Sequence, residues 1–319
     1  MSIFDESTLE QAIIDKLVLE GYSYITGDNL HRELTDVIIE DDLAAFLTRK
    51  YAANGITNSE IQSIIRSLKS ASALPVYDAN KKMFKKMVEG EIFVREDRNS
   101  KDFLLQLIDF DKDDNKNIIK VVNQLTIKSS TSTRRPDAII YVNGLPVVVM
   151  EFKSAVKEDT TIHDAYVQIT TRYMRDIPEL FKYNCFAVIS DGVNTKAGSI
   201  FSDYEHFYSW RRKAGDEKPS DGIDALDTMI GGMLHPEVLF DIIHNFIYFP
   251  DSDNGKCLKV VASYPQYFAA NKLLNNVLRH KKPGGDGKGG TYFGTTGCGK
   301  SFIMLFLTRL LMHEKSLNS

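Results

Sequence analysis

"PDAIIYVNGLPVVVMEFK", residues 136–153, decides the fold. Two runs rich in Ile and Val are joined by Asn143-Gly144, the dipeptide that most favours a tight hairpin turn because both of its positions tolerate positive φ. Upstream, "EIFVRE", "FLLQLIDF" and "NIIKVVNQLTIK" read as further strands after Gly90. Downstream, a helix over 161–175, a short apolar strand "CFAVIS" (185–190) and a loop closing on Gly192 complete an α/β core. Before the strands the chain reads as helical. Ser7-Thr8-Leu9-Glu10 has the form of a capping box, and Ile13, Ile14, Leu17 and Val18 continue a helix over 8–20 until Gly21. From about 30 to 90 the apolar residues recur at three and four (Leu43, Phe46, Leu47; Ile61, Ile64, Ile65, Leu68), which predicts several short helices.

The hairpin also carries chemistry. Asp137 precedes the turn, and Glu151 and Lys153 follow it at i and i+2 of one strand, so the last two share a face. Two carboxylates so placed can hold Mg²⁺ while the lysine sits beside the attacking water, which is the PD-(D/E)xK nuclease arrangement. The alternative is a solvated strand face with ordinary charges. Register separates the two readings. A strict two-residue turn sets Asp137 opposite Met150, on the face away from Glu151; a longer loop or a β-bulge restores a shared face. A working site therefore predicts an irregularity in this hairpin.

In the helix that follows, Thr161 is the expected N-cap, and Ile162, Tyr166, Ile169 and Tyr173 form one apolar stripe. Gln168, Arg172 and Arg175 fall on another face, where they could orient DNA phosphate. In an ideal α-helix Tyr173 stands about 140° around from Gln168, which makes it a core residue by geometry. Glu10, on the apolar side of the first helix, reads either as the capping-box acid or as a further metal-site acid.

Near the C-terminus, Gly294-Thr295-Thr296-Gly297-Cys298-Gly299-Lys300-Ser301 fits G-x-x-x-x-G-K-[ST] between a short strand-like run and an apolar helix over 302–311. Backbone N–H groups of Gly294, Thr296, Gly297 and Gly299 can wrap a phosphate, Lys300 reaches the outer phosphates of ATP, and the Ser301 hydroxyl can ligate Mg²⁺. Hydrolysis further needs an acid on a later strand, and only a short tail follows.

Bulk properties bound the remainder. A chain of 319 residues, 43% hydrophobic, buries a sizeable core, and a formal charge of −4 leaves any attraction to nucleic acid to local basic patches or partners. Cys185, Cys257 and Cys298 are far apart, with no zinc or disulfide spacing, as suits a reducing cytoplasm. No signal peptide or membrane span is expected. The polar stretch over 211–222 is the linker candidate.

"RRPDAIIYVNGLPVVVMEFKSA" followed by "TIHDAYVQITTRYMRDIPELFKYNCFAVISDG" resembles the N-terminal nuclease domain of the restriction (motor) subunit of type I restriction-modification enzymes, over most of residues 1–210. "YPQYFAANK" and "GTTGCGKS" look like the start of that family's superfamily 2 translocase, in the family's order. The resemblance implies a restriction-endonuclease-like, RecB-like mixed sheet flanked by helices, followed by the beginning of a RecA-like P-loop domain. It implies Asp137 and Glu151 as Mg²⁺ ligands, Lys153 as the catalytic lysine, and Gln168 with Tyr173 as the accessory Q…Y pair, one residue beyond the commonest spacing. Glu10 matches the acid of the family's first helix loosely. Gln266 resembles an adenine-reading glutamine, with Tyr264 or Tyr267 as stacking partners; packing within a helix is the other reading.

The resulting expectation is an N-terminal fragment: an endonuclease domain over 1–210, a linker over 211–225, and the first part of an incomplete motor over 226–319. Its substrate would be double-stranded DNA, its partners the modification and specificity subunits. The rivals are an ATP-dependent DNA motor with a non-catalytic N-terminal docking module, and an assembly scaffold that binds neither metal nor nucleotide.

Overall fold

Both residues of the Asn143-Gly144 turn take positive φ, 52° and 75°, as the dipeptide predicts. The turn is also pinned from outside. A Cβ on Gly144 would lie 2.1 Å from the Ile39 carbonyl oxygen, and the Ile39 N–H donates to the Gly144 carbonyl at 2.9 Å. Asn143 is buried, donating through Nδ2 to the Leu107 carbonyl and Asn117 and accepting from the Ile118 N–H. The fold around this turn is a computed structural model that describes residues 6–111, 115–153, 161–215, 217–220, 222, 224–250 and 257–317.

Helix α1 (Glu6–Leu19) leads into strand β1 (Ser23–Thr26). Three helices follow, α2 (Glu40–Lys50), α3 (Asn58–Ser70) and α4 (Val76–Val88), matching the helical stretch expected between about 30 and 90. α3 opens on a Thr57/Glu60 capping box. Strands β2 (Glu91–Phe93) and β3 (Phe103–Leu105) pair with each other; β4 (Ile119–Asn123) follows, then a small hairpin of β5 (Ile127–Lys128) and β6 (Thr133–Arg134). The central hairpin is β7 (Ala138–Val142) and β8 (Leu145–Phe152). The chain crosses through α5 (Ile162–Val167), a π-helical turn over Gln168–Tyr173, α6 (Met174–Asp176) and α7 (Pro178–Phe181) to β9 (Phe186–Ser190) and β10 (Thr195–Gly198).

Six strands form one mixed sheet in the order β1-β4-β7-β8-β9-β10. β1 runs parallel to β4 and β8 parallel to β9, while the other pairs are antiparallel. The parallel β8–β9 step needs a crossover, and the 162–181 helices supply it. Every residue of β7, β8 and β9 is buried, as strands covered by helices must be. α1 and α5 both pack on β8. The fold is thus α/β with a mixed sheet flanked by helices.

Beyond the sheet, α8 (Asp224–Thr228) continues into a π-helical turn over Met229–Met233, then α9 (Pro236–Asn245), the short pair β11 (Ile247–Tyr248) and β12 (Val260–Val261), α10 (Tyr264–His280) and α11 (Lys300–His313). Asp216, Asp221 and Ile223 of the expected linker, and Ser154-Ala155 of the "EFKSA" run, lie outside the described residues. No helix is long and apolar enough to cross a membrane among the described residues, and all three cysteines are free.

Four expectations need correction. The first helix already includes Glu6, so Ser7 lies inside it and is not its cap. The 161–175 helix opens on Thr161 with a capping box to Asp164, but it is not α throughout. Residues 291–293, read as strand-like, have no regular structure, and the helix after the phosphate loop begins at Lys300 rather than 302. Strands β1 and β10, four residues each at the sheet edges, were not foreseen, because edge strands of that length carry too few apolar residues to show a period.

Candidate active site

The central hairpin contains the irregularity that a shared carboxylate face requires. Near the turn Val142 pairs with Leu145 and Tyr141 with Pro146; beyond a register shift Ile140 pairs with Val148 and Ala138 with Met150. Val147 is the extra residue. Continued by one step, the shifted register brings Asp137 opposite Glu151, and residues directly opposite share a face. The Asp137 carboxylate is anchored there: Oδ2 accepts the Phe152 backbone N–H at 2.7 Å.

Glu151 is 1% exposed, and both of its oxygens are engaged. Lys153 Nζ donates to Oε1 at 2.8 Å, and the Tyr173 hydroxyl donates to Oε2 at 3.1 Å. The same hydroxyl accepts from Gln168 Nε2 at 2.7 Å. Lys153 lies just past the end of β8, its N–H bonded to the Ser190 carbonyl at 2.9 Å, so backbone pairing fixes the base of the lysine as well. Tyr173 is a core residue, as its helical position predicts, but the separation from Gln168 that an ideal α-helix implies does not hold. In the π-turn the Met174 N–H bonds back to the Ile169 carbonyl, five residues earlier, and the wider turn sets the side chains of Gln168 and Tyr173 against each other. Tyr173 is buried, but against the acid rather than only against the apolar stripe.

Electrostatics mark the site as short of positive charge. Burial, reinforced by the nearby Glu151 carboxylate, pushes the Asp137 carboxyl up to about 8. Burial also raises Glu151, although Lys153 and Tyr173 pull the other way. Glu6, in the first turn of α1, raises both. It was not singled out in the sequence; it precedes the apolar period of its helix, so nothing local marked it. Glu10 is engaged by the end of β4. Its Oε1 accepts from Asn123 Nδ2 at 2.7 Å and its Oε2 from Gln124 Nε2 at 2.5 Å, so both oxygens serve to tie α1 to the end of β4. No group of three or more His, Cys, Asp or Glu side chains is gathered for a metal among the described residues.

At the phosphate loop, Gly297 and Gly299 take positive φ, 83° and 77°, and α11 starts at Lys300. Lys300 Nζ folds over the loop, donating to the carbonyls of Gly294 (3.1 Å) and Thr295 (2.8 Å). Gln266 reaches this loop: its Oε1 caps the Ser263 N–H at 3.0 Å, and its Nε2 lies 2.2 Å from where a Cβ on Gly299 would be. Tyr264 and Gln266 line a cavity of about 690 Å³ with Gly297, Gly299 and Phe302. Tyr267 is not among the residues lining that cavity; it is buried against Trp210, Phe246 and Phe268.

The Type I restriction enzyme HindI endonuclease subunit of Haemophilus influenzae is 30% identical over 331 residues, covering 99% of this chain and 31% of its own length. The type I restriction enzyme MjaIXP endonuclease subunit of Methanocaldococcus jannaschii is 27% identical over 98% of this chain and 32% of its own. The SauCOLORF180P subunit of Staphylococcus aureus is 24% identical over 98% and 31%. The chain thus spans about a third of the length of the relatives it matches. The family model described as type I restriction enzyme R protein N terminus matches residues 3–206, a span that contains the whole sheet and every residue of the carboxylate-lysine site. The chain therefore belongs to the type I restriction enzyme R protein N-terminal family.

Proposed function

We propose that this chain carries the Mg²⁺-dependent DNA endonuclease centre of a type I restriction enzyme, in the PD-(D/E)xK manner. The observation that supports this most is the bulge at Val147, which turns Asp137 toward Glu151 in a hairpin that otherwise has every reason to be regular. The donor set suits Mg²⁺: hard carboxylate oxygens, two acids raised by burial, Asp137 also by Glu151 and both by Glu6, and one lysine beside the three carboxyls. Bound there, Mg²⁺ would supply Lewis-acid polarisation of the phosphodiester and an acidified water.

The protein's own residues do the positioning. The Phe152 N–H fixes Asp137, while Tyr173 and Gln168 hold Glu151 in one orientation. Lys153, hydrogen-bonded to Glu151, is placed to hold the attacking water or to stabilise charge on the phosphate. In the longer protein this centre would be coupled to ATP-driven translocation. Gly294, Thr296, Gly297, Gly299, Lys300 and Ser301 would hold the triphosphate, and Gln266 the base. Modification and specificity subunits would supply sequence recognition, consistent with the lack of a base-reading motif here.

The test is cleavage of plasmid DNA by the full restriction complex with Mg²⁺ and ATP. Glu151→Ala should abolish cutting, as should chelation of Mg²⁺ from the unmutated enzyme. Cutting that survives Glu151→Ala would remove the nuclease reading and leave a docking module.

A further inference from the structure

A small groove opens beside Gln168 and Tyr173, the residues that support Glu151. It has a volume of about 200 Å³ and is lined by Thr133, Arg134, Arg135, Gln168, Arg172 and Tyr173. We propose that this groove holds a backbone phosphate of the DNA strand being cut, neighbouring the one that is hydrolysed, and that Arg135 and Arg172 grip it. The proposal rests on the nuclease reading of the adjoining site.

Charge distribution among the arginines carries the argument. Arg134 and Arg175 both bond to Asp176, at 2.5–2.7 Å and 2.7–3.1 Å. That carboxyl is buried, and Arg175 and then Arg134 hold it at about 2, below the ordinary carboxylate range. It is thus ionised at all working pH values and keeps those two guanidiniums occupied. Arg135 and Arg172 are exposed and make no ion pair among the described residues. No carboxylate lines the groove, so its net charge is positive.

Size and lining select the ligand. A pocket for a small organic molecule usually offers about 300–1,000 Å³ with apolar walls, whereas this groove is smaller and nearly all polar. It suits one group projecting from a larger ligand, with a few waters. Guanidinium forks match phosphate oxygens in pairs, which a point charge does not. Position then gives the role. Gln168 and Tyr173 are walls of the groove and also the hydrogen-bonded support of Glu151. A phosphate seated against them would set the next phosphate of the same strand over the acids.

Binding of a short labelled duplex of mixed sequence, with Ca²⁺ in place of Mg²⁺ to avoid cutting, tests this by anisotropy over a range of salt. Arg135→Gln and Arg172→Gln should each lower the slope of log K against log salt by about one and weaken binding several-fold for any sequence. Arg135→Lys and Arg172→Lys should keep the slope, which excludes misfolding as the cause. Arg175→Gln should change the slope much less, because that guanidinium is held by Asp176. Equal effects at all three positions would mean general surface charge and would overturn the proposal. Unchanged slopes, or no affinity for the duplex in the unmutated chain, would overturn it too. Glu151→Ala separates the two claims: if it keeps cutting, the nuclease reading falls, whereas if it loses cutting while the arginine variants bind normally, only the groove falls.

Discussion

Asp137 is a carboxyl buried beside another carboxyl, and its chemistry conflicts with its stability. Its folded-state value of about 8 stands far above the ordinary 3.8. The folded chain therefore binds a proton that the unfolded chain releases, so stability falls as pH rises from about 4 to about 8 and levels off beyond. Asp137→Asn removes this penalty and keeps an acceptor for the Phe152 N–H. Without divalent cations the variant should melt a few degrees higher at pH 8 and at the same temperature as the unmutated chain at pH 4. Added Mg²⁺ should stabilise only the unmutated chain. A variant that melts lower at pH 8 would refute the buried-acid picture. Tyr173→Phe removes one hydrogen bond to an ionised group, about 1.5 kcal/mol, and should reduce cleavage roughly tenfold with little change in ATP hydrolysis. Asp137, Glu151 and Lys153 were legible because strand periodicity ties spacing to face. Glu6 was not, since its closeness to the acids arises from how α1 packs on the sheet.

Two elements at the candidate site depart from regular geometry, and each departure sets a side chain of that site. The bulge could be anticipated, because a regular hairpin would have put the acids on opposite faces. The π-turn could not: a single residue beyond the common Q…Y spacing has no signature in the apolar period, and only the hydrogen bonding shows how the helix absorbs it. Deleting exposed Thr171 should close the turn into α-helix, leave the glutamine and tyrosine as i, i+4 neighbours, and keep cleavage within about tenfold. Inserting an alanine after Thr171 should separate them and cost about a hundredfold or more. Equal losses in both would mean that the pair has no positioning role. At the hairpin, Gly144→Ala meets both a positive φ and the Ile39 carbonyl. It should destabilise the chain by at least ~2 kcal/mol in denaturant titration; a neutral effect would show that the turn is not held against α2.

At the scale of the molecule, one buried apolar cluster runs from Leu9 in α1 through the sheet to Ile303, Phe306 and Leu310 in α11. The segment carrying the phosphate loop is thus packed against the rest of the chain rather than tethered to it. Tyr22 illustrates the continuity: its hydroxyl donates to the Leu234 carbonyl at 2.6 Å. The sequence showed the order of parts, strands and helices first and phosphate loop last, because motifs are local. How the parts meet was not legible, since aromatic contacts such as Trp210 on Tyr267 join residues with no sequence relation. On the proposed reading, a nuclease centre and a nucleotide loop would act in one body, with cutting separable from ATP use. The decisive measurement is plasmid cleavage and ATP hydrolysis, followed together, in the restriction complex carrying Lys153→Ala, a change that removes no metal-holding carboxylate. Cutting should fall by at least about a hundredfold while hydrolysis persists; cutting at the unmutated rate would contradict a catalytic role for the carboxylate-lysine site.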